Sequence, residues 1–243
     1  MSKNIILIIG ASSDIGINLI KNLDEDILIL AHYNSSNENL IKVSKDIKNT
    51  LVPLNANLSS ESEINTFLDN IESNYGIPNK IVHLSASKVE NIRFKDVKWS
   101  DFERDINISL KSAVLILNRF LPKLAKEKKG KVIIMLSSYV LGVPPKALSH
   151  YTTIKYALLG LVKSLASEYA NKNIQINAIS PSMTETKFLD NINEKLIELN
   201  AYNHPLKRNA SVEDITPTIK LLLSEDSSYM SGINIPISGG GIF

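Results

Sequence analysis

The chain contains no cysteine, which excludes disulfides, thiolate nucleophiles and Cys-ligated zinc together. It also lacks a predominant charge. Its 27 basic and 25 acidic residues leave a formal net charge of +2, too weak a field to gather nucleic acid or an anionic membrane surface. No apolar run approaches the roughly 18 residues of a membrane span, and the run Ile5 to Ile9 meets glycine too soon for a secretory signal. The four histidines, at 32, 83, 150 and 204, are scattered and give no metal-ligand spacing. These absences lead us to expect a cytoplasmic protein that works on a small molecule, with no nucleic acid, membrane or metal. The single tryptophan, Trp99, is expected in packing or an interface.

What is present is an alternation. Short β-branched runs near residues 4–9, 27–31, 50–54, 80–84, 131–136, 175–179 and 234–236 are separated by amphipathic stretches near 15–23, 37–48, 61–75, 102–126, 150–170 and 212–223. That rhythm predicts repeated βαβ units on one seven-stranded parallel sheet with helices on both faces. The runs are almost continuously apolar, as strands buried on both sides must be. No repeat, low-complexity tract or long linker divides the chain, so residues 1–243 are expected to form a single domain. The exception to the tight alternation is a polar, helix-capable insertion at about 184–209, placed where a lid over a binding site would lie.

The first unit carries a turn. Ile5 to Ile9 runs into Gly10-Ala11-Ser12-Ser13-Asp14-Ile15-Gly16 and then a helical pattern. Gly10 permits a sharp turn, Ser12 and Ser13 offer hydroxyls and amides, and a helix starting near Ile15 aims its positive end at a pyrophosphate. A tight turn without a ligand would use similar residues. The end of the second strand, His32-Tyr33-Asn34-Ser35, has no carboxylate to bond a ribose 2′-hydroxyl and repel a 2′-phosphate, which favours NADP(H) while leaving NAD(H) possible. Asn57 and Leu58, just past the third strand, are expected beside the adenine.

Tyr151 is the one tyrosine with a lysine four residues later, Lys155, and both project from one face of a predicted helix. A phenol of pKa about 10 beside an ammonium becomes a usable acid or base nearer neutrality. Ser138 ends the fifth strand, thirteen residues before Tyr151, and a returning loop brings its hydroxyl over the helix start. An ordinary exposed helix pair and a locally bonded serine are the plainer alternatives. His150 is read as a helix-start or solvent-facing residue.

Gly10 to Gly16, Ser138, Tyr151-x-x-x-Lys155 and Ile176-Asn177-Ala178-Ile179-Ser180-Pro181 together resemble the short-chain dehydrogenase/reductase family across the whole chain, and the ending Gly232 to Gly240 with Pro205-Leu206-Lys207-Arg208 resembles its compact β-ketoacyl-carrier-protein-reductase type. The resemblance implies a Rossmann fold with strand order 3-2-1-4-5-6-7 and hydride exchange with a nicotinamide. It implies Tyr151 as acid/base, Lys155 on the ribose, Ser138 orienting substrate, and a homodimer or homotetramer joined through the long helices. It also places Ser85, Ala86 and Ser87 after the fourth strand, and Pro181, Met183, Thr184 and Thr186 after the sixth, against the cofactor. The chain departs from the family pattern at four places: Asp14 stands where a glycine is usual, Leu84-Ser85-Ala86-Ser87 replaces Asn-Asn-Ala-Gly, Pro181-Ser182 replaces the Pro-Gly after the sixth strand, and Ser109 takes the place of the helix asparagine that completes the catalytic tetrad, with Asn107 as the alternative. The expected activity is NADP(H)-dependent reduction of a carbonyl: a 3-oxoacyl thioester, a keto-sugar or similar. An NAD-dependent alcohol dehydrogenase and a dinucleotide-binding sensor without turnover are the alternatives. A larger epimerase of the extended type would need a separate substrate domain.

Overall fold

A computed structural model describes residues 4–242. Seven strands, β1 (Ile5–Ile9), β2 (Leu28–Tyr33), β3 (Leu51–Asn55), β4 (Lys80–His83), β5 (Gly130–Met135), β6 (Ile174–Pro181) and β7 (Asn234–Ile237), form one sheet. Its order is β3-β2-β1-β4-β5-β6-β7, with every pairing parallel. The order reverses between β1 and β4, and in such sheets ligands bind in the crevice beyond the strand ends at that point.

The helices are α1 (Asp14–Asn22), α2 (Glu38–Val43), α3 (Glu61–Asn74), α4 (Trp99–Asp105), α5 (Ser112–Glu127), α6 (Ser149–Glu168), α7 (Glu194–Asn203) and α8 (Val212–Leu223). Strand alternation divides the core into two layers. Leu7, Ile9, Ile81, Ile134 and Ile176 face α3, α5 and α6. Ile6, Ile8, Val82, Ile133 and Ile179 face α1, α2 and α8. Because both faces are covered, β1, β5 and β6 are buried along their whole length, which is why β1 is an unbroken apolar run and β5 is apolar from Val132 to Met135. Local signals set the ends: the Ser60 hydroxyl accepts from Glu63 N at 3.3 Å to start α3, and Gly76, at φ +96°, follows its end.

Three features differ from the periodicity. The helix predicted over 102–126 is broken: α4 passes through a π-helical segment, Ile106–Lys111, into α5. The helix predicted over 37–48 ends at Val43. Trp99 packs into no core. It is 71% exposed and stacks on Phe102, with ring centroids 6.1 Å apart.

The insertion carries α7 and is closed at its base by a short parallel ladder. Ala210 N donates to Met183 O at 2.9 Å and Glu185 N donates to Ala210 O at 2.9 Å. No described helix is long and apolar enough to cross a membrane.

Candidate active site

β1 delivers the chain into the turn at Gly10, whose φ is +79°. A Cβ there would meet Ser85 Oγ at 2.8 Å, and one on Gly16 would meet the Ala11 carbonyl oxygen at 2.5 Å. Gly10 is therefore fixed by close approach and by conformation, Gly16 by close approach alone. The Ser13 hydroxyl caps α1, accepting from Gly16 N at 3.1 Å and donating to Gly10 O at 2.7 Å, so it serves the turn and only Ser12 keeps a free hydroxyl for phosphate. Ile15 packs against the core under α1. Asp14 opens the helix, and its carboxylate accepts from Lys187 N of the insertion at 2.8 Å.

Around the adenosine end, Asn34 and Ser35 are exposed at the end of β2 and Tyr33 is half-buried. Asn55 Nδ2 donates to the carbonyls of Tyr33 and Asn34 at 3.2 and 2.5 Å. Asn57 is exposed, and its side-chain oxygen accepts from Ser59 N at 3.0 Å. Leu58 is 5% exposed, and its side chain belongs to the core beneath α3. Ser85 and Ala86 are half-buried beside the glycine turn, and Ser87 is buried.

Lys155 is 2% exposed, and its ammonium donates to Met135 O at 2.9 Å. It stands 5.4 Å from the centroid of the Tyr151 ring, over the face of the ring. Removal from water pushes the Tyr151 phenol well above its ordinary range. A hydrogen bond with the Ser137 hydroxyl opposes this, and nearby Tyr139 and Asp105 add to it. Burial lowers the Lys155 ammonium to about 8, with the Asp105 carboxylate pulling it back up. In this geometry the expected lowering of the tyrosine by the lysine is outweighed by desolvation.

Besides opposing the rise of the Tyr151 phenol, the Ser137 hydroxyl accepts from Tyr139 N at 3.3 Å, and it adjoins the expected Ser138. Ser138 is buried and opens a 3₁₀ turn over Ser138–Val140, where its carbonyl accepts from Leu141 N at 3.0 Å. Ser109 is buried at 3% exposure inside the π segment, whereas Asn107 is half-buried. His150 does not face solvent: it is 1% exposed, lies 3.9 Å from Asp105 and meets Phe102 edge-on.

From the insertion, Phe188 reaches the Tyr151 ring at 6.5 Å between centroids. Pro181 is buried and Met183 half-buried at its base. The Thr184 hydroxyl donates to Ser182 O at 2.9 Å and that of Thr186 donates to Thr184 O at 3.4 Å. No cluster of metal-ligating side chains occurs among the described residues.

The model of a family described as enoyl-(acyl carrier protein) reductase matches residues 11–241. The chain belongs to the short-chain dehydrogenase/reductase family. Among curated relatives, it is 28% identical to the 3-oxoacyl-(acyl-carrier-protein) reductase FabG of Staphylococcus aureus (strain N315), over 96% of each chain. It is 25% identical to that of Buchnera aphidicola subsp. Baizongia pistaciae, over 98% of this chain and 97% of the relative. The fold matches the crystal structure of levodione reductase with a TM-score of 0.88, at 23% identity over 99% of this chain and 98% of that one.

As a short-chain dehydrogenase/reductase the chain is an NAD(P)-dependent oxidoreductase acting on a small molecule. Its residues fit a dinucleotide: the cradle at Gly10 and Gly16 has no room for a Cβ, and the N-terminus of α1 opens into it. Asp14 is the discordant member of this short-chain dehydrogenase/reductase, a carboxylate at the helix end meant for phosphate. Replacing it (Asp14→Ala) is expected to tighten NADP⁺ binding by about twofold to fivefold, from the ~0.3–1 kcal/mol typical of a charge at a helix terminus. The same change should lower thermal stability slightly. Fluorescence titration checks the first effect, and unchanged or weaker binding contradicts it.

Proposed function

We propose that the protein is an NADP(H)-preferring carbonyl reductase whose substrate is a 3-oxoacyl thioester, a keto-sugar or a related ketone, with Tyr151 as the acid. The observation that carries this reading is the phenol of Tyr151 beside buried Lys155 and near Phe188 of the insertion. The nicotinamide supplies the hydride. Ser138 and Tyr151 present two hydroxyls to a carbonyl oxygen, so that the charge developing there is met by donors. Tyr151 gives up its proton to that oxygen, and the adjacent ammonium of Lys155, itself held by the Met135 carbonyl, favours the phenolate left behind. Exposed Asn34 and Ser35, with no carboxylate beside them, support preference for a 2′-phosphate.

The names of the curated relatives support a 3-oxoacyl thioester as the first substrate to try. Oxidation of an alcohol with NAD⁺ would use the same residues in reverse. Exposed Val114 on α5 and Tyr156 on α6 support assembly through these helices into a dimer or tetramer, and a cytoplasmic site of action suits a chain without cysteine. The test is loss of NADPH absorbance, with NADH in parallel, against acetoacetyl thioesters, keto-sugar nucleotides and diketones. Faster turnover with NADPH on one class is the expected result. Turnover with NADH alone overturns the cofactor assignment, and binding of neither dinucleotide overturns the reading.

A further inference from the structure

His32 lies near the end of β2 and points toward the α3 side of the sheet, where its ring meets Phe67 edge-on at 5.5 Å between centroids. It is 2% exposed. Its Nδ1 accepts from the Gly10 amide at 3.1 Å, and its Nε2 lies 3.0 Å from the Ala56 carbonyl oxygen. An amide N–H needs a bare nitrogen and a carbonyl needs an N–H, so the two partners together select one neutral tautomer, protonated at Nε2.

Those partners are the roots of two loops. Gly10 opens the glycine turn after β1, and Ala56 precedes Asn57 after β3. Main-chain bonds already run alongside: Ala11 N donates to His32 O at 2.9 Å and Ala56 N donates to Tyr33 O at 3.2 Å. The imidazole adds a third, stiffer link from one loop to the other across the strand between them.

We propose that His32 is a positioning residue for the dinucleotide, holding the Gly10 turn and the Ala56 loop at a fixed separation so that the pyrophosphate and adenosine halves of one ligand are met together. This rests on the dinucleotide reading of the site. His83 on β4, on which the charge of His32 bears, and Lys155 beyond it also lie on this side, and neither is a carboxylate that would favour a charged ring. Burial keeps the His32 pKa low, at about 4, so the neutral tautomer persists through the physiological range.

Two conservative variants separate the two arms. His32→Asn sets a carbonyl oxygen near the position of Nδ1 and keeps the Gly10 bond. His32→Gln reaches toward Ala56 and gives up the Gly10 bond. His32→Leu removes both. NADP⁺ affinity is measured by titration for each, with kcat at saturating cofactor and the thermal midpoint recorded beside it. The expected order is wild type and Asn within about threefold, Gln weaker, and Leu weaker by about tenfold, the scale of one hydrogen bond, with kcat changed far less than affinity. If Leu does not fold, the Asn and Gln pair decides. Equal affinity for all folded variants, or Gln binding better than Asn, overturns the proposal. Absence of dinucleotide binding by the wild type instead overturns the functional reading on which it stands.

Discussion

Replacing Tyr151 by phenylalanine is expected to lower kcat by about 10²–10⁴-fold, the range for loss of a positioned general acid, while cofactor affinity stays near that of the wild type. The ring contacts with Tyr139 and Phe188 survive the change, and only the proton source is removed. Because burial holds this phenol protonated, the residue stands loaded as an acid over the whole working pH range. The adjoining serines provide the companion measurement. Ser138→Ala should cost more in kcat than Ser137→Ala, since the Ser137 hydroxyl is already engaged by the Tyr139 amide. Wild-type turnover by Tyr151→Phe would remove the tyrosine from the mechanism, and a larger loss at Ser137 would move the substrate contact to that hydroxyl.

Acid should unfold this protein earlier than its carboxylates require. Burial lowers His32 to about 4 and His83 to about 3, against about 6.5 for an unfolded histidine. His83 sits on β4 with Nε2 2.9 Å from Ser112 Oγ, which in turn donates to Ile108 O at 2.6 Å, and the nearby Lys155 ammonium disfavours its charging further. Both folded values lie below the unfolded one, so the unfolded chain binds more protons as pH falls. The stabilisation is complete above about pH 6.5 and is lost as pH falls from there toward 4. Each histidine contributes roughly 2 kcal/mol by pH 5, or about 4 kcal/mol for the pair. Urea unfolding at pH 7.5, 6 and 5 measures the slope, and a His32→Asn, His83→Asn variant should flatten it. A stability independent of pH over this window would show that these rings are hydrated.

Much of the architecture was legible in the sequence because burial on both faces writes β1 and most of β5 as continuous apolar runs. The glycine turn was equally legible, since close approach to Ala11 and Ser85 leaves Gly16 and Gly10 without alternatives. What escaped were details that depend on burial. The direction of the Tyr151 shift was unreadable because a Tyr-x-x-x-Lys spacing reports proximity and says nothing of desolvation. His150 lies at the start of α6 as expected, but it turns its side chain into the interior instead of toward solvent. His32 gave a signal that was available, a polar residue in the last turn of an otherwise apolar strand, but without the partners Gly10 and Ala56 it had no role to suggest.

The π segment Ile106–Lys111 has a consequence for how this region can vary. An α-helix advances about 100° per residue, and a π turn is in effect one residue inserted into that count. Removing a single residue between 106 and 111 would restore a regular helix and swing all of α4 around its axis relative to α5. Asp105 would then leave His150 and no longer act on Lys155 and Tyr151. Side chains here can be exchanged, whereas the residue count between α4 and α5 is the quantity that cannot change.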